Sequence, residues 1–311
     1  MRLKPGFSVL LRDERTVHVG LVQPLVLTDT SPGEREFLAS LEGSPAPISA
    51  AMHRAFPHLI EALDRHGALQ EDGGPDFTNA MVRIHGLGAM GSSLAVTLAR
   101  SGVGALALVD TAPAGLEEPG TFGVSAPHGS CAAAAAWMLR ERVPEVRIAA
   151  SFVSADVEVM IGHGAIPAHQ AADLVYRGTP HVPVIADEHG VTVGPVVVPG
   201  VTACIRCEEV ARASADPAWP RLATQCAGSR RPHVDSLASE IAAGLAASEV
   251  LQVLRGRGEP SPDATGGWRI DGATGVPHRI PSVSPDPACG CGAAGPVGDE
   301  VASRRAALRA L

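Results

Sequence analysis

The spacing of apolar positions changes character at Gln70–Asp76, a polar stretch that carries glycine and proline. Ahead of this stretch, apolar runs at Ser8–Leu11 and Val17–Val22 flank the charged segment Arg12–Arg15, a pattern that predicts a β-hairpin. Behind it, longer apolar runs alternate with helical patterns. Gln70–Asp76 therefore predicts a domain boundary.

Three short helices are predicted after the hairpin. The first begins at Ser31-Pro32-Gly33-Glu34, where serine, proline and glutamate have the spacing of a capping box. The first helix carries Phe37, Leu38 and Leu41 on one face, the second lies near Ser49–Phe56, and the third lies near Leu59–His66. Two strands and three helices predict a small winged-helix-like α+β domain over residues 1–75. It is a peptide- or protein-binding module, a structural cap or a DNA-binding module, and its slightly acidic balance argues against DNA.

Strands and helices alternate after the boundary. Strands are expected at Ala80–Ile84, Ala105–Val109, Val146–Phe152, Val157–Ile161 and Val182–Ala186, and helices at Met90–Arg100, Cys131–Arg142 and Ala168–Arg177. This alternation predicts an α/β domain with a parallel sheet and helices on both faces. Further on, the pattern predicts a strand at Val191–Pro199, a long helix at Val234–Leu254, an antiparallel pair at Trp268–Asp271 and Val276–Ile280, and a solvated helical tail at Glu300–Leu311. Residues 76–311 are therefore expected to form one Rossmann-like domain with a mixed sheet.

Composition narrows the function. The 311 residues include a single lysine, Lys4, and a single asparagine, Asn79, so a Walker-type phosphate loop is excluded. The net charge of −8 argues against a nucleic-acid partner. No uninterrupted apolar run approaches the roughly 18 residues of a membrane span, and the N-terminus does not resemble a signal peptide. We expect a cytoplasmic protein without a membrane partner, whose cysteines are thiols or metal ligands.

A glycine-rich turn follows the first strand of the second domain. Gly86, Gly88 and Gly91 have the G-x-G-x-x-G spacing between a strand and a helix, and Asp110 ends the next strand. In Rossmann-type domains such glycines allow the turn, the approach of a phosphate and the packing of helix on strand, and the carboxylate binds a ribose hydroxyl. These four residues are the predicted cofactor-binding residues; the alternative is that the glycines serve packing alone.

Two cysteine pairs indicate a metal site. Cys204 and Cys207 form a C-x-x-C pair, and Cys289 and Cys291 form a C-x-C pair. Four thiolates in two close pairs suit a tetrahedral structural Zn²⁺. Unliganded thiols and a redox-active pair are the alternatives.

For the remaining cysteines and for two histidines, the sequence gives weaker indications of function. Cys131 is expected to be a buried small side chain, and Cys226 lies in a polar stretch as a bystander or a reactive thiol. His163 and His169 flank a strand-to-helix turn and are expected to be ordinary loop residues. No Ser-His-Asp arrangement is present, so no catalytic residue is predicted.

The stretch from about Ala80 to Cys291 resembles the ubiquitin-activating-like superfamily of ThiF, MoeB and HesA type. The resemblance rests on the GLGAMG turn with Asp110, the CIRC and CGC pairs and the long helix between them. It implies a ThiF-type fold, a homodimer, and ATP with Mg²⁺ for the adenylation of a peptide or protein C-terminus. Gly194–Cys207, together with Asp216–Pro220, looks closer to one branch, the leader-peptide-binding partner proteins of azoline-forming cyclodehydratases in ribosomal natural-product pathways. In that branch the N-terminal module binds a leader peptide along a strand edge.

Several residues that the resemblance implies for adenylation are missing. Adenylating members carry an asparagine, an arginine and a lysine after the position of Asp110, and Thr111–Ser130 contains none of them. They also carry a magnesium-associated aspartate after the strand that matches Val157–Ile161, where this chain has Gly162-His163-Gly164. Positive charge stabilises the transition state of such chemistry, so its loss argues against use of ATP and Mg²⁺.

The sequence therefore predicts a degenerate ThiF-like scaffold protein. It would bind a peptide or small protein and present it to a separate modifying enzyme. One alternative is an active ATP-dependent adenylyltransferase that uses Arg230 and Arg231 or an arginine from a dimer partner. A more remote alternative is an NAD(P)-dependent oxidoreductase that uses the same glycine turn.

Overall fold

The computed structural model describes residues 1–71, 76–114, 129–227, 234–256 and 266–294. The chain forms two compact units, Met1–Asp76 and Phe77–Leu311. Arg230 and Arg231 lie outside the described residues. Gln70–Asp76, Thr111–Ser130 and Glu300–Leu311 lie partly or wholly outside them.

The first unit contains two small antiparallel sheets and three helices. Its strands are β1 (Arg2–Leu3), β2 (Val9–Leu11), β3 (Val17–Val19), β4 (Leu25–Leu27) and β5 (Leu69–Gln70), and its helices are α1 (Pro32–Leu41), α2 (Ala50–Ala55) and α3 (Pro57–Arg65). β2, β3 and β4 form a three-stranded meander, and β1 pairs with β5. The predicted hairpin and three helices are present, and the predicted number of strands is wrong.

Local chemistry sets the start of α1. Ser31 Oγ accepts the Glu34 amide at 3.3 Å, and Glu34 Oε2 accepts the Ser31 amide at 2.7 Å, which confirms the capping box. Phe37, Leu38 and Leu41 are buried, as their spacing predicts. They belong to a core of their own within this unit.

The predicted strand Val17–Val22 ends early, at Val19. Gly20 has a φ of +90° and Gln23 a φ of +51°, so the backbone turns at this point and starts β4 at Leu25. Leu21 and Val22 lie in this turn and are exposed. The apolar run Val17–Val22 therefore contains the end of β3 and part of a turn, and the predicted strand is too long.

The second unit is built on an eight-stranded mixed sheet. Its strands are β6 (Met81–His85), β7 (Ala105–Val109), β8 (Arg147–Ala149), β9 (Val157–His163), β10 (His181–Asp187), β11 (Gly190–Val193), β12 (Gly267–Asp271) and β13 (Pro277–Ile280), in the order β13-β12-β11-β10-β9-β6-β7-β8. The strands from β10 to β8 in this order are parallel, and β11, β12 and β13 are antiparallel to their neighbours. The predicted mixed, Rossmann-like α/β sheet is confirmed.

Two predicted strands are too long at their C-terminal ends. Val146–Phe152 is reduced to β8, because the backbone turns at Ala150–Val153 and leaves Phe152 exposed. Val191–Pro199 is reduced to β11, which ends where Gly194 adopts a φ of +74° before a cis bond to Pro195.

Within the described part of this unit, six helices accompany the sheet. They are α4 (Ala89–Arg100), α5 (Cys131–Arg142), α6 (Ala168–Tyr176), α7 (Ile205–Ala215), α8 (Trp219–Ala227) and α9 (Ser236–Leu254). The sequence analysis missed α7 and α8. Among the described residues, α9 is the one helix long and apolar enough to span a membrane. It buries alanines such as Ala242 and Ala246 against α4 and the sheet, which accounts for its apolar character as that of a core helix.

Candidate functional site

The glycine turn, Gly86–Gly91, lies where the order in which the chain adds strands to the sheet reverses. β6 precedes the turn and has β7 on one side and β9 on the other. α4 leads from β6 to β7, whereas the chain reaches β9 only later. In open α/β sheets, such a point leaves a crevice at the carboxyl ends of the strands, and ligands bind there.

Two of the three predicted glycines are required by close approaches. Gly86 has a φ of +93°, and a Cβ there would lie 3.2 Å from the Ile161 carbonyl oxygen. A Cβ at Gly91 would lie 1.9 Å from the Gly86 carbonyl oxygen. The third, Gly88, is the N-cap of α4 and leaves the first turn of that helix without a side-chain cap. Its first amides are therefore available to a ligand.

Asp110 holds the glycine turn in place. Its Oδ2 accepts the Leu87 amide at 2.7 Å, and its Oδ1 accepts the Ala112 amide at 3.0 Å. Asp110 also lines the cavity beside the glycine turn. The predicted cofactor-binding residues are thus adjacent in the structure.

A cavity of about 1110 Å³ adjoins the glycine turn. It is lined by the turn, Asp110, the end of β9, the start of α9 and the end of α8. The cationic residues among its described lining, Arg100 and Arg142, end α4 and α5. Each of these helices has 12 residues, so the arginines lie about 16 Å along the axis from the helix starts.

The end of β9 is packed too tightly for a side chain at Gly162. A Cβ there would lie 2.7 Å from the Ala165 carbonyl oxygen and 2.7 Å from Ile166 Cδ1. His163 lines the cavity, and its Nδ1 lies 3.0 Å from the Ala186 carbonyl oxygen. If that nitrogen carries the proton, Nε2 is left as an acceptor.

The helix α8, which the sequence analysis missed, brings Cys226 to the cavity. A Cβ at Gly164 would lie 2.9 Å from both Cys226 Cβ and Sγ, so the thiol rests on the turn after β9. At its other end α8 is fixed to α7, since Trp219 Nε1 donates to Glu209 Oε2 at 2.5 Å and Arg212 lies over the indole. Cys131 is buried at the start of α5, as predicted, and His169 is exposed on α6 outside the cavity lining.

Glu240 is a second cavity carboxylate that sequence reasoning missed. It lies in the second turn of α9, and its Oε2 accepts a hydrogen bond from Ser93 of α4. Ser236 and Ser239 of α9 also line the cavity. A glutamate near the start of an alanine-rich helix was the available signal.

A buried charge network lies beneath the glycine turn and was also missed. Glu158 of β9 has no exposed surface and accepts from Arg83, from Arg177 at 2.9 Å and from His85 at 2.7 Å. Burial alone would raise the pKa of Glu158, but its hydrogen bonds to His85 and Arg177 and the charge of Arg83 lower that pKa to about 2. The Glu158 network therefore joins β6, β9 and α6 through ionised groups. The charges at Arg83 and Glu158, inside apolar strands, were the available signal.

The four predicted metal ligands converge in the structure. The Sγ atoms of Cys204, Cys207, Cys289 and Cys291 all lie within 4.8 Å of one another. Individual Sγ–Sγ distances are 3.4 Å for Cys204–Cys289, 3.7 Å for Cys207–Cys291 and 3.9 Å for Cys204–Cys207. Tetrahedral Zn²⁺ with bonds of about 2.3 Å holds its sulfurs about 3.8 Å apart. The cluster therefore fits a metal ion such as Zn²⁺.

The surroundings of the cysteine cluster support a structural site. Cys204 is the N-cap of α7, and Cys207 lies in its first turn. Three of the four cysteines are buried, among residues such as Met160, Leu174 and Ile205. Burial raises the pKa of the Cys204 thiol, so a bound cation would be needed to keep the four groups ionised together.

No family model and no curated protein matches this sequence. Solved structures with a similar fold include Escherichia coli MccB with MccA, which is 17% identical, with 94% of this chain and 99% of that chain covered at a TM-score of 0.65. E. coli MccB with ATP is 16% identical, with 93% of this chain and 98% of that chain covered, also at 0.65. PaaA is 15% identical, with 89% of this chain and 98% of that chain covered at 0.59. The chain therefore has the fold of MccB, a microcin C7 biosynthetic enzyme, over nearly the whole length of both proteins.

Proposed function

We propose that this chain is a degenerate member of the ThiF/MoeB superfamily that binds a peptide and presents it to a separate modifying enzyme. Residues 1–75 would be a winged-helix-like recognition domain, and residues 76–311 a ThiF-like domain stabilised by Zn²⁺ on the cysteine cluster. We further propose a cytoplasmic homodimer. The structures of MccB with MccA support peptide binding by this fold.

The observation that carries the proposal is the packing at Gly162. Adenylating members of the superfamily place a magnesium-associated aspartate just after the strand that matches Val157–Ile161, as the resemblance implies, and this chain has Gly162-His163-Gly164 there. Here a Cβ would lie 2.7 Å from a backbone oxygen, so no side chain fits without movement of the chain. The aspartate is therefore missing from all three positions, and the packing at Gly162, the first of them, disfavours any side chain.

The charge of the cavity supports the same conclusion. The described lining has Asp110 and Glu240 near the start of α4, while its arginines end α4 and α5. Phosphoryl and adenylyl transfer depend on cations or metal ions at the reacting phosphates. Within the described residues this cavity offers no arginine or lysine at the glycine turn.

The first unit has a strand edge suited to an extended peptide. Among the described residues β4 pairs with β3 alone, so its other edge carries no described strand. The segment Gly20–Thr28 that contains β4 has no charged residue, and Leu21, Val22 and Val26 are exposed. An uncharged apolar edge strand is the kind of surface to which another chain adds by backbone hydrogen bonds. We therefore propose β4 as the leader-binding edge.

The test combines two measurements on the full chain. We expect a candidate precursor peptide encoded near the gene to bind, as measured by fluorescence anisotropy of the labelled peptide. ATP–pyrophosphate exchange with that peptide is expected to stay at background. Robust exchange would show a working adenylyltransferase and contradict the proposal.

An active adenylyltransferase is the second candidate. It is favoured by the intact glycine turn with Asp110, the size of the cavity and the fold shared with MccB in complex with ATP. It would draw its missing cations from Arg230 and Arg231, outside the described residues, or from a dimer partner. Exchange that disappears in Arg230→Ala or Arg231→Ala would identify this candidate.

A further inference from the structure

A histidine is fully buried at the start of β10, outside the cavity lining and the cysteine cluster. His181 has no exposed surface, and its Nδ1 lies 2.9 Å from the carbonyl oxygen of Thr179. A carbonyl oxygen can only accept a hydrogen bond, so Nδ1 carries the proton and Nε2 of the neutral ring is an acceptor. Among the described residues, no donor lies within hydrogen-bond distance of Nε2. A proton added to this ring would therefore enter a buried site that offers Nε2 no described partner.

The described charged groups around His181 form the Glu158 network. Glu158 lies opposite His181 in the parallel pair of β9 and β10, and its two oxygens already accept three hydrogen bonds. Two of these three donors are arginines, so a proton on His181 would bring a further positive charge into a buried cluster, which costs free energy. The titratable and charged groups on the elements involved are Arg83 and His85 of β6, Glu158 of β9, and Asp173 and Arg177 at the end of α6.

The proton affinity of His181 differs between a closed and an open form of this region. Burial lowers the pKa of His181, and the hydrogen bond to Thr179 and the charge of Glu158 do not offset this effect. A histidine in an exposed chain has its ordinary pKa of about 6.5. The open form therefore binds the proton more readily than the closed form. The stability that this difference gives to the closed form is complete above about pH 6.5 and is lost as the pH falls below it.

The position of His181 in the chain favours a local opening. His181 is the first residue of β10, and its two backbone hydrogen bonds to Val197 form an isolated bridge outside the named strands. The turn that precedes it is exposed at residues 176–178. Strand ends and exposed turns open at a lower free energy than the middle of a sheet. Exposing this ring to water therefore requires the opening of a short stretch only.

We infer that His181 is an acid-sensitive latch on the connection between α6 and β10. While its ring is neutral, residues 177–180 and the start of β10 are closed. When the ring takes up a proton, this stretch opens and Arg177 loses its contact with Glu158. The latch is a conformational device of the second unit and does not depend on peptide recognition.

The experiment is hydrogen–deuterium exchange of the full chain at pH 7.5 and pH 5.5, read by mass spectrometry and corrected for the intrinsic exchange rate. We expect residues 174–182 to exchange about tenfold faster at pH 5.5, because about one pH unit of this interval lies below the ordinary pKa of histidine. The corrected exchange of β7 in the same samples should not change, because β7 lies inside the sheet and does not contain the latch.

Two variants separate His181 from other effects of acid. His181→Asn retains a donor for the Thr179 carbonyl oxygen and cannot take up a proton, so its exchange should be independent of pH even if it is faster throughout. His278→Gln is the matched control, since it removes an exposed histidine of β13, and it should keep the tenfold change. Any loss of metal from the cysteine cluster at pH 5.5 affects wild type and both variants alike.

Three results would overturn the inference. The first is equal corrected exchange of residues 174–182 in wild type at the two pH values. The second is an equal acceleration of β7, which would show that the whole unit opens. The third is a tenfold change that persists in His181→Asn. If His181→Asn does not fold, the comparison of residues 174–182 with β7 in wild type decides.

Discussion

At the scale of single residues, Glu158 of the second unit is a carboxylate without contact to solvent. It is fully buried, yet its carboxylate is ionised because Arg83, Arg177 and His85 surround it. Removing one partner from such a group leaves the others buried without compensation, which is more costly than the loss of a surface pair. The network therefore makes the junction of β6 and β9 sensitive to protonation.

The first prediction concerns acid. The pKa of Glu158 falls from 4.5 to about 2 in the folded chain, so the unfolded chain binds this proton more readily. The resulting stability is present above pH 4.5 and is lost as the pH falls from 4.5 towards 2. It amounts to about 3 kcal/mol at most. Urea denaturation of wild type and Glu158→Gln between pH 6 and pH 3 should show the difference between them shrinking with acid.

The control for this prediction is Glu61→Gln. Glu61 forms an exposed ion pair with Arg65, so its variant should follow wild type at every pH. Acid also affects metal binding, and this effect is common to wild type and both variants. Comparing their stabilities at the same pH therefore removes it. A constant gap between wild type and Glu158→Gln would contradict the prediction.

The second prediction concerns the cysteine cluster. We expect about one Zn²⁺ per chain, lost in Cys204→Ser, because a tetrahedral site with three thiolates holds the ion less firmly. Cys226→Ser is the matched control and should keep its metal, since Cys226 is not part of the cluster. Elemental analysis of the purified proteins measures both. Equal metal content in the two variants would overturn the assignment.

At the scale of elements, packing decides which glycines matter. Gly91 and Gly244 both lie inside helices, but a Cβ at Gly91 meets a backbone oxygen at 1.9 Å and one at Gly244 meets nothing within 4 Å. Gly244→Ala should stabilise the chain by about 0.5–1 kcal/mol, because alanine has the better helix propensity. Gly91→Ala should instead destabilise it, because α4 must move away from the turn. Chemical denaturation of both variants checks the opposite signs.

The edges of the three-stranded sheet give the next prediction. Leu10 of β2 and Val26 of β4 both lie opposite His18 and are 42% and 43% exposed. If a peptide adds to β4, Val26→Lys should weaken its binding about tenfold, and Leu10→Lys on the other edge should not. Anisotropy with a labelled precursor peptide measures both. If Leu10→Lys weakens binding and Val26→Lys does not, the peptide lies on β2. Equal effects of the two substitutions would argue against strand addition.

Local sequence determines some elements of this fold and leaves others undetermined. β7 and α5 have the predicted bounds, since one is a short apolar run and the other a continuous alanine-rich stretch behind an N-cap serine. α8 has no buried residue and is fixed by Trp219 and by the contact of Cys226 with Gly164, so no apolar stripe announces it. β1 and β5 have two residues each and pair across the first unit, which no local pattern reveals.

At the scale of the whole molecule, some residues of the candidate site are predictable from the sequence and others are not. The glycine turn, Asp110 and the cysteine pairs were predictable because their spacing along the chain carries their chemistry. Glu240 and Glu158 were not, because their partners Ser93 and Arg83 are distant in sequence. A motif gives the position of a site, and the partners of the charged groups around it are set by tertiary contacts.

The last prediction uses the two compact units, each of which has its own core. A unit with a separate core can unfold separately, so we expect two transitions in thermal or urea denaturation of the full chain. The cysteine cluster lies in the second unit, so removal of metal by a chelator should lower one transition and leave the other in place. A bound precursor peptide should raise the transition that the chelator leaves unchanged, because ligand binding stabilises only the unit that holds it. Calorimetry with and without chelator and peptide measures all three shifts. A single transition that is lowered by the chelator and raised by the peptide would contradict the prediction. It would mean that the two units unfold together.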